Sequence, residues 1–201
     1  PVAGEWRTQV VAEGIDCRAR NEFLCLSGQQ AGGVDVVPDR AIEHGLALTI
    51  ADLALLRDGG GALTWHPRTQ VSVYGTSAPV LEALGLGLPV ALGSNWRRTG
   101  SMHLGRELAC ARSPDQAQSG QRIGDRMLWR MATANGAHAA GMTGAIGTLA
   151  AGAVGDVIVV DRQGGDGYSA VASADTADIA LVLRGGTPLY GEAAVLEALG
   201  A

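Results

Sequence analysis

The stretch that decides the fold is AIEHGLALTIADLALLRDGGGALTWH, residues 41–66. It contains two short apolar runs, Ala41–Glu43 and Ala62–Trp65, separated by a segment with a helical pattern, Ile50–Asp58. Thr49 precedes that segment and three glycines follow it, and these residue types commonly begin and end helices. A strand, a capped helix and a second strand in this order predict a βαβ unit with parallel strands.

The same pattern extends in both directions along the chain. An apolar run at Thr8–Ala12 precedes this unit and another at Pro89–Gly93 follows it, with room for crossover helices between all four predicted strands. The helices predicted in and after this region are Cys17–Ser27 with Asp16 as its N-cap, Ala78–Leu84 with Ser77 as its N-cap, Met102–Arg112, and Gln121–Ala140 with a break near Asn135-Gly136.

After Gly141, short apolar runs separated by Gly- and Asp-rich turns replace the helical pattern. Such runs predict a small antiparallel β module. We therefore divide the chain into a β/α part, residues 1–143, and the β module, residues 144–201. The strands predicted in the β module are Ile146–Leu149, Asp156–Asp161, Ser169–Ala172 and Ile179–Arg184.

Each predicted strand of the β/α part ends at a polar residue. Glu13, His44, His66 and Asn95 stand at or just after these strand ends. Because the carboxyl ends of parallel strands converge on one face, where ligands bind in β/α enzymes, this pattern predicts an enzyme site. The four βα units amount to half of a closed eight-stranded barrel, which takes about 250 residues.

Composition and charge narrow the class of protein. The 201 residues are 47% hydrophobic and 17% charged, which supplies a sizeable core and argues against disorder. A net charge of −5 argues against nucleic-acid binding, and no apolar run approaches the ~20 residues of a membrane span. The chain begins without a signal-like segment and its three cysteines form no C-x-x-C pair, from which we expect a cytoplasmic protein with reduced thiols.

The strings AIEHG at residues 41–45, WHPRTQ at 65–70 and ALGSNW at 91–96 resemble the amidohydrolase superfamily. More narrowly, they resemble its branch of chlorohydrolases and nucleobase- or adenosine-type deaminases. Residues 133–137 and 147–157 are similar to the segment where that family leaves its barrel and completes a β-sandwich. The resemblance implies an α/β fold, a partial (β/α)8 TIM-type barrel with strands five to eight, followed by a small β-sandwich segment.

The resemblance also implies an activity, the hydrolysis of C–N bonds other than peptide bonds in a small cyclic or amide substrate. In that family a divalent metal, zinc or iron, activates a water and a neighbouring carboxylate shuttles protons. By position, His44 matches the metal ligand after strand six, Glu13 matches the proton shuttle, and Asn95 stands at the catalytic position after strand eight. We expect Trp96 and His66 beside the substrate, with packing inside the loop as the alternative for His66.

Two positions depart from the family's pattern. Val10 stands where the family has a metal-binding histidine, and the neutral amide of Asn95 replaces a metal-binding aspartate. The family's H-x-H pair has no counterpart, because strands one to four are absent. We therefore expect this chain alone to bind zinc poorly and to be an impaired hydrolase. The alternatives are a non-catalytic relative that binds a small ligand or a partner chain, and a β/α domain that uses no metal.

A chain that forms only half of a barrel is also expected to associate with another polypeptide. Four parallel strands without their neighbours leave two open sheet edges and an uncovered apolar interior, both of which favour association. We expect the chain to pair with a polypeptide that carries the missing N-terminal half, or to self-associate.

Overall fold

A computed structural model describes residues 6–29, 40–113, 116, 122–162 and 166–200. The N-terminal part contains a four-stranded sheet, in which every pair of neighbouring strands is parallel, as the sequence predicts. The strands follow chain order across the sheet: β1 (Arg7–Val11), β2 (Arg40–His44), β3 (Ala62–Trp65) and β4 (Val90–Leu92).

The helices predicted between the strands form, and two of the predicted N-caps are confirmed. Asp16 accepts a hydrogen bond from the backbone N–H of Ala19 at 2.9 Å. Thr49 and Asp52 cap each other's backbone N–H groups. The helices of the chain are α1 (Cys17–Leu26), α2 (Ile50–Asp58), α3 (Pro67–Tyr74), α4 (Val80–Gly85), α5 (Leu104–Arg112), α6 (Asp125–Ala132), α7 (Ala134–Ala139), α8 (Gly167–Ser173) and α9 (Ala193–Leu199).

The two faces of the parallel sheet differ in the size of their side chains. One face carries large apolar residues and packs against the helices, forming the main core of the described residues. The buried strand residues on this helix-covered face are Val11, Ile42, Leu63, Trp65, Val90 and Leu92.

The opposite face, called here the inner face, is lined by small residues. Ala41, Ala62 and Ala91 are buried there against Ala139 of α7. The inner face also carries Val10, because Val10 pairs with Glu43, two residues beyond Ala41 on β2, and side chains alternate along a strand. The Val10 side chain is 57% exposed, so helix α7 covers only part of this face.

A second, antiparallel sheet of three strands follows in the order β5 (Val157–Val160), β6 (Ile179–Arg184) and β7 (Thr187–Gly191). The sequence predicts β5 and β6 and misses β7. Gly185 and Gly186 join β6 to β7 with positive φ angles of 57° and 79°, as a tight hairpin turn requires. Pro188 and Gly191 weaken the strand pattern of β7, which explains why the sequence did not reveal it.

Two strands predicted in the β module are wrong. Residues 169–172 belong to helix α8, because the Asp166 carboxylate accepts a hydrogen bond from the backbone N–H of Ser169 at 2.7 Å and starts a helix there. Residues 146–149 form no strand, and Ile146 contributes only an isolated bridge to Thr143. The four-residue runs were too short to distinguish a strand from a helix.

Helix boundaries also differ from the prediction. Helix α4 begins at Val80 rather than Ala78, because the Ser77 hydroxyl accepts a hydrogen bond from Trp65 Nε1 at 2.7 Å and does not cap the helix. The break predicted near Asn135-Gly136 in the helix over residues 121–140 occurs at Thr133, between α6 and α7, and Gln121 lies outside the described residues. Helices α3 and α9 were not predicted.

Among the described residues, none of the helices combines the length and apolar character that a membrane crossing needs.

Candidate active site

Strands β1 and β2 both end in an uncommon backbone conformation. Ala12, directly after β1, has a φ angle of 55°, and His44, the last residue of β2, has a φ angle of 71°. Non-glycine residues rarely adopt this left-handed conformation, which turns the chain sharply at the strand end. The turn at Ala12 leads directly to Glu13, and the turn at His44 sets the direction of its own side chain.

Side chains of two helices stabilise the two turns. The amide of Gln70, which is fully buried in α3, donates a hydrogen bond from Nε2 to the carbonyl of His44 at 2.9 Å. Its Oε1 accepts a hydrogen bond from the backbone N–H of Ala78 at 2.9 Å. At the other turn, the backbone N–H of Ala12 donates to Glu22 Oε2 of α1 at 2.9 Å.

Three of the residues predicted from the sequence lie together at the carboxyl edge of the sheet. His44 Nε2 is 3.6 Å from Glu13 Oε1 and 3.3 Å from Asn95 Nδ2. The Tyr74 hydroxyl donates a hydrogen bond to the same oxygen of Glu13 at 3.2 Å. The imidazole of His44 is buried, whereas the Glu13 carboxylate is partly open to solvent.

His66 lies in the same cluster. Its ring stacks on the His44 ring with 4.4 Å between the centroids and an interplanar angle of 26°. Gly93 makes room for it, since a Cβ atom at that position would lie 2.5 Å from His66 Cε1. His66 Nε2 lies 3.4 Å from Glu43 Oε2.

Glu43 is the member of this cluster that the sequence analysis did not identify. It is the acidic residue of an otherwise buried strand, and it shares the inner face with Val10. A signal was present, because a carboxylate in a buried apolar run directly before a histidine needs a partner. We interpreted the residue as part of the apolar run and not as a member of the site.

Glu43, His44 and His66 form a candidate metal centre. Each offers one ligand atom, and these three atoms lie within 4.8 Å of one another. The Nδ1 atoms of His44 and His66 are buried and have no hydrogen-bond partner among the described residues. Unpaired nitrogens on two buried imidazoles, beside a carboxylate, fit a divalent metal that binds nitrogen and oxygen ligands.

The charges of the cluster favour the protonation states that bind metals. Contact with the His66 ring lowers the pKa of Glu43 although its partial burial opposes this, so the carboxylate is ionised at neutral pH. Burial lowers the pKa of His44, and repulsion from His66 lowers it further, against the attraction of the Glu13 and Glu43 carboxylates. A neutral imidazole and an ionised carboxylate are the forms that coordinate a metal.

Asn95 and Trp96 lie at the rim of the site. The side-chain oxygen of Asn95 accepts a hydrogen bond from the backbone N–H of Trp96 at 2.9 Å, which leaves the Asn95 amide nitrogen facing His44. The Trp96 side chain is 68% exposed. The structure therefore brings Asn95 to His44 and leaves the indole of Trp96 largely in solvent.

No family model matches the chain. A curated relative, a 5-methylthioadenosine/S-adenosylhomocysteine deaminase of Syntrophobacter fumaroxidans, is 35% identical over 127 residues. The match covers 62% of this chain and 29% of the relative.

Solved structures share the fold over nearly the whole chain. An adenosine deaminase from Xanthomonas campestris with bound zinc has a TM-score of 0.75 at 18% identity, covering 96% of this chain and 48% of its own. Guanine deaminase from E. coli has a TM-score of 0.77 at 15% identity, covering 94% and 49%. Zinc-bound atrazine chlorohydrolase from Arthrobacter aurescens TC1 has a TM-score of 0.68 at 19% identity, covering 96% and 47%.

The fold and the relatives define a class, that of mixed α/β enzymes named as deaminases and hydrolases. The printed names of the curated relative and of the structural neighbours, deaminases and a chlorohydrolase, agree with the branch of the amidohydrolase superfamily that the sequence resembles. The chain spans about half the length of the structures it matches. Two of these structures, the adenosine deaminase and the atrazine chlorohydrolase, contain bound zinc.

Proposed function

We propose that this chain carries part of the active site of a metal-dependent hydrolase that acts on C–N bonds, other than peptide bonds, of a small cyclic or amide substrate. The observation that carries the proposal is the convergence of Glu13, His44 and Asn95 at the carboxyl edge of the parallel sheet. The names of the deaminase and hydrolase relatives support the catalytic interpretation over a non-catalytic one.

The roles of the residues follow from their chemistry. His44 would hold the metal, zinc or iron, which would supply Lewis acidity and make a water easier to deprotonate. Glu13 accepts that proton and returns it to the leaving nitrogen, while the Tyr74 hydroxyl orients the Glu13 carboxylate. The Asn95 amide nitrogen, which faces His44, is placed to donate a hydrogen bond to the reacting group, and Trp96 at the rim of the site is placed to contact a substrate.

Two residues reduce the activity of this chain relative to a complete site. Val10 offers no ligand atom, and the nitrogen that Asn95 turns towards His44 is a hydrogen-bond donor that cannot coordinate a metal. The proposed hydrolase is therefore impaired in the isolated chain.

We further propose that the sheet is one half of a (β/α)8 barrel, with β1 to β4 as its strands five to eight. In the described residues β1 and β4 each pair with one neighbour, so that both sheet edges are open. The exposed Val10 on the inner face lies where the interior of a closed barrel would be. The partner that closes it is a polypeptide with strands one to four, or a second copy of this chain.

The proposed function is tested by measuring ammonia release from aminated purines and triazines, with the chain in zinc-containing buffer and in the assembly that it adopts. Release should depend on zinc and fall about 100-fold in Glu13→Gln, because a general acid–base group is lost. Glu82→Gln, on the exposed face of α4, serves as the matched control and should behave as the wild type. Zinc-dependent release that is insensitive to Glu13→Gln, or the absence of release, would overturn the proposal.

A further inference from the structure

We infer that Glu43, His44 and His66 form a three-ligand zinc site that this chain assembles by itself. The inference rests on the proposed function for the choice of metal, but it assigns two ligands, Glu43 and His66, that the family resemblance does not supply. It also replaces the expectation of poor zinc binding, which counted His44 as the only surviving ligand.

The first argument is the position of the three residues in the sheet. Glu43 and His44 are the last two residues of β2, and His66 directly follows β3. Strands β2 and β3 are neighbours and parallel, with Glu43 opposite Thr64, so all three side chains stand at the same sheet edge. One ligand atom of each residue lies within 4.8 Å of the other two.

The second argument is the burial of polar atoms without partners. The side chain of His66 is 5% exposed, and its Nδ1 has no hydrogen-bond partner among the described residues, whereas its Nε2 lies 3.4 Å from Glu43 Oε2. The side chain of His44 is 3% exposed, and its Nδ1 also has no hydrogen-bond partner among the described residues. Buried polar atoms normally find partners because leaving them unpaired is costly, so two adjacent imidazoles with unpaired nitrogens indicate a missing ligand.

The third argument is that the surrounding residues hold this arrangement in place. Gly93 leaves the space for the His66 ring, which any larger residue would fill. Gln70 holds the carbonyl of His44 in the left-handed conformation that directs the imidazole into the cluster. A packed backbone and a buried amide therefore fix both histidines before any ion binds.

The ligand types also suit a catalytic zinc. Two imidazoles and one carboxylate are a known ligand set of such sites, in which three protein ligands leave a fourth position open for water. The Glu43 side chain is 31% exposed, so an ion has access to the cluster from solvent. Glu43 and His66 thus compensate for the donors that are missing at Val10 and Asn95.

The test is a calorimetric titration of the full 201-residue chain with zinc chloride, followed by Co²⁺ absorption spectra that report the ligand field. Glu43→Gln and His66→Ala should each weaken zinc binding at least about tenfold and change the Co²⁺ spectrum, because each removes a ligand. Glu82→Gln and His103→Ala are matched controls for the two residue types outside the cluster, and they should change the affinity by less than about twofold. Glu43→Gln keeps size and shape, so its result does not depend on the folding of the His66 variant.

The outcomes separate this inference from the proposed function. If Glu43→Gln and His66→Ala bind zinc like the wild type, or if the wild type binds none, the ligand assignment is wrong, whatever the hydrolase assay shows. If zinc binding depends on Glu43 and His66 but no substrate is hydrolysed, the ligand assignment holds and the proposed function fails. If zinc binding depends on Glu43 and His66 and hydrolysis depends on Glu13, both the ligand assignment and the proposed function are supported.

Discussion

At the scale of single residues, the candidate site depends on a few side chains that hold backbone turns or leave space for rings. His44 takes a left-handed backbone conformation although it is not a glycine. Such strain persists only where neighbouring residues determine it, and here the buried Gln70 amide does so. The geometry of the imidazole cluster is therefore coupled to α3, which does not itself carry the ligands.

We predict that Gln70→Ala lowers the free energy of unfolding by about 3 kcal/mol, because it removes hydrogen bonds at the carbonyl of His44 and the N–H of Ala78 and leaves a cavity. Urea unfolding followed by circular dichroism measures this change. Ser72→Ala, at an exposed position of the same helix, is the control and should change stability by less than about 0.5 kcal/mol. A loss for Gln70→Ala no larger than that of the control would contradict the role given to the amide.

Gly93 is the second residue-scale determinant. Gly93→Ala should displace the His66 ring, since the added Cβ would meet His66 Cε1 at 2.5 Å and Thr64 Cγ2 at 2.8 Å. We expect a stability loss of about 1–3 kcal/mol from overpacking, together with weaker zinc binding. Thermal unfolding and zinc titration measure the two effects. Gly85→Ala, where an added Cβ meets nothing within 4 Å, is the matched control, and equal results for both variants would show that Gly93 is not needed for this packing.

At the scale of elements, an ion pair joins the first two helices. Arg20 of α1 contacts the buried carboxylate of Asp52 in α2 with hydrogen bonds of 2.8 and 3.2 Å. The same carboxylate caps α2 by accepting a hydrogen bond from the backbone N–H of Thr49. Burial opposes ionisation of Asp52, but the hydrogen bonds from Arg20 and Thr49 outweigh it, and the pKa lies below its usual value of 3.8.

The lowered pKa of Asp52 determines how the free energy of unfolding changes with pH. Because the pKa of Asp52 is lower in the folded chain than in the unfolded one, its stabilising effect is full above pH 3.8 and is lost as the pH falls through the folded pKa. Asp52→Asn should therefore lower the free energy of unfolding by about 2 kcal/mol at pH 7, and the difference from the wild type should shrink in acid. Urea unfolding at several pH values measures it. Asp58→Asn, at an exposed ion pair, is the control and should show little difference at any pH.

At the scale of the whole molecule, the parallel sheet is open at both edges and partly uncovered on its inner face within the described residues. Val10 on that face is 57% exposed, although valine at a strand position normally packs against a neighbour. Closure of a barrel around the inner face would bury Val10. The exposure of Val10 therefore supports the proposed association of the chain with a partner or with a second copy.

We predict that the 201-residue chain associates at micromolar concentration, and that Val10→Lys shifts it towards the monomer because a charge on the inner face opposes burial. Sedimentation velocity over a range of concentrations measures the effect. Leu149→Lys is the control, since Leu149 is 86% exposed and lies outside both sheets. A wild-type chain that sediments as a compact monomer at all concentrations would contradict the half-barrel proposal.

Local signals in the sequence were sufficient for the parallel sheet and for part of the site. The strands, the caps at Asp16 and Thr49, and the polar residues at the strand ends follow from short stretches of chain. Because parallel strands bring their carboxyl ends to one edge, the proximity of Glu13, His44 and Asn95 could be expected from spacing alone. Helix α8 was missed because one N-cap carboxylate, Asp166, outweighed the strand pattern that follows it.

The sequence by itself determined the order of the elements, the direction of the strands and the edge at which the polar residues gather, because periodicity and capping are local properties. Only the tertiary structure decided that His66 stacks on His44 and that Glu43 faces them. Those contacts depend on the close approach of Gly93, directly after β4, and on the hydrogen bond from Gln70 in α3, and neither is visible in the residues next to the histidines. A site built from adjacent strands is settled by packing between distant segments, which a local pattern cannot report.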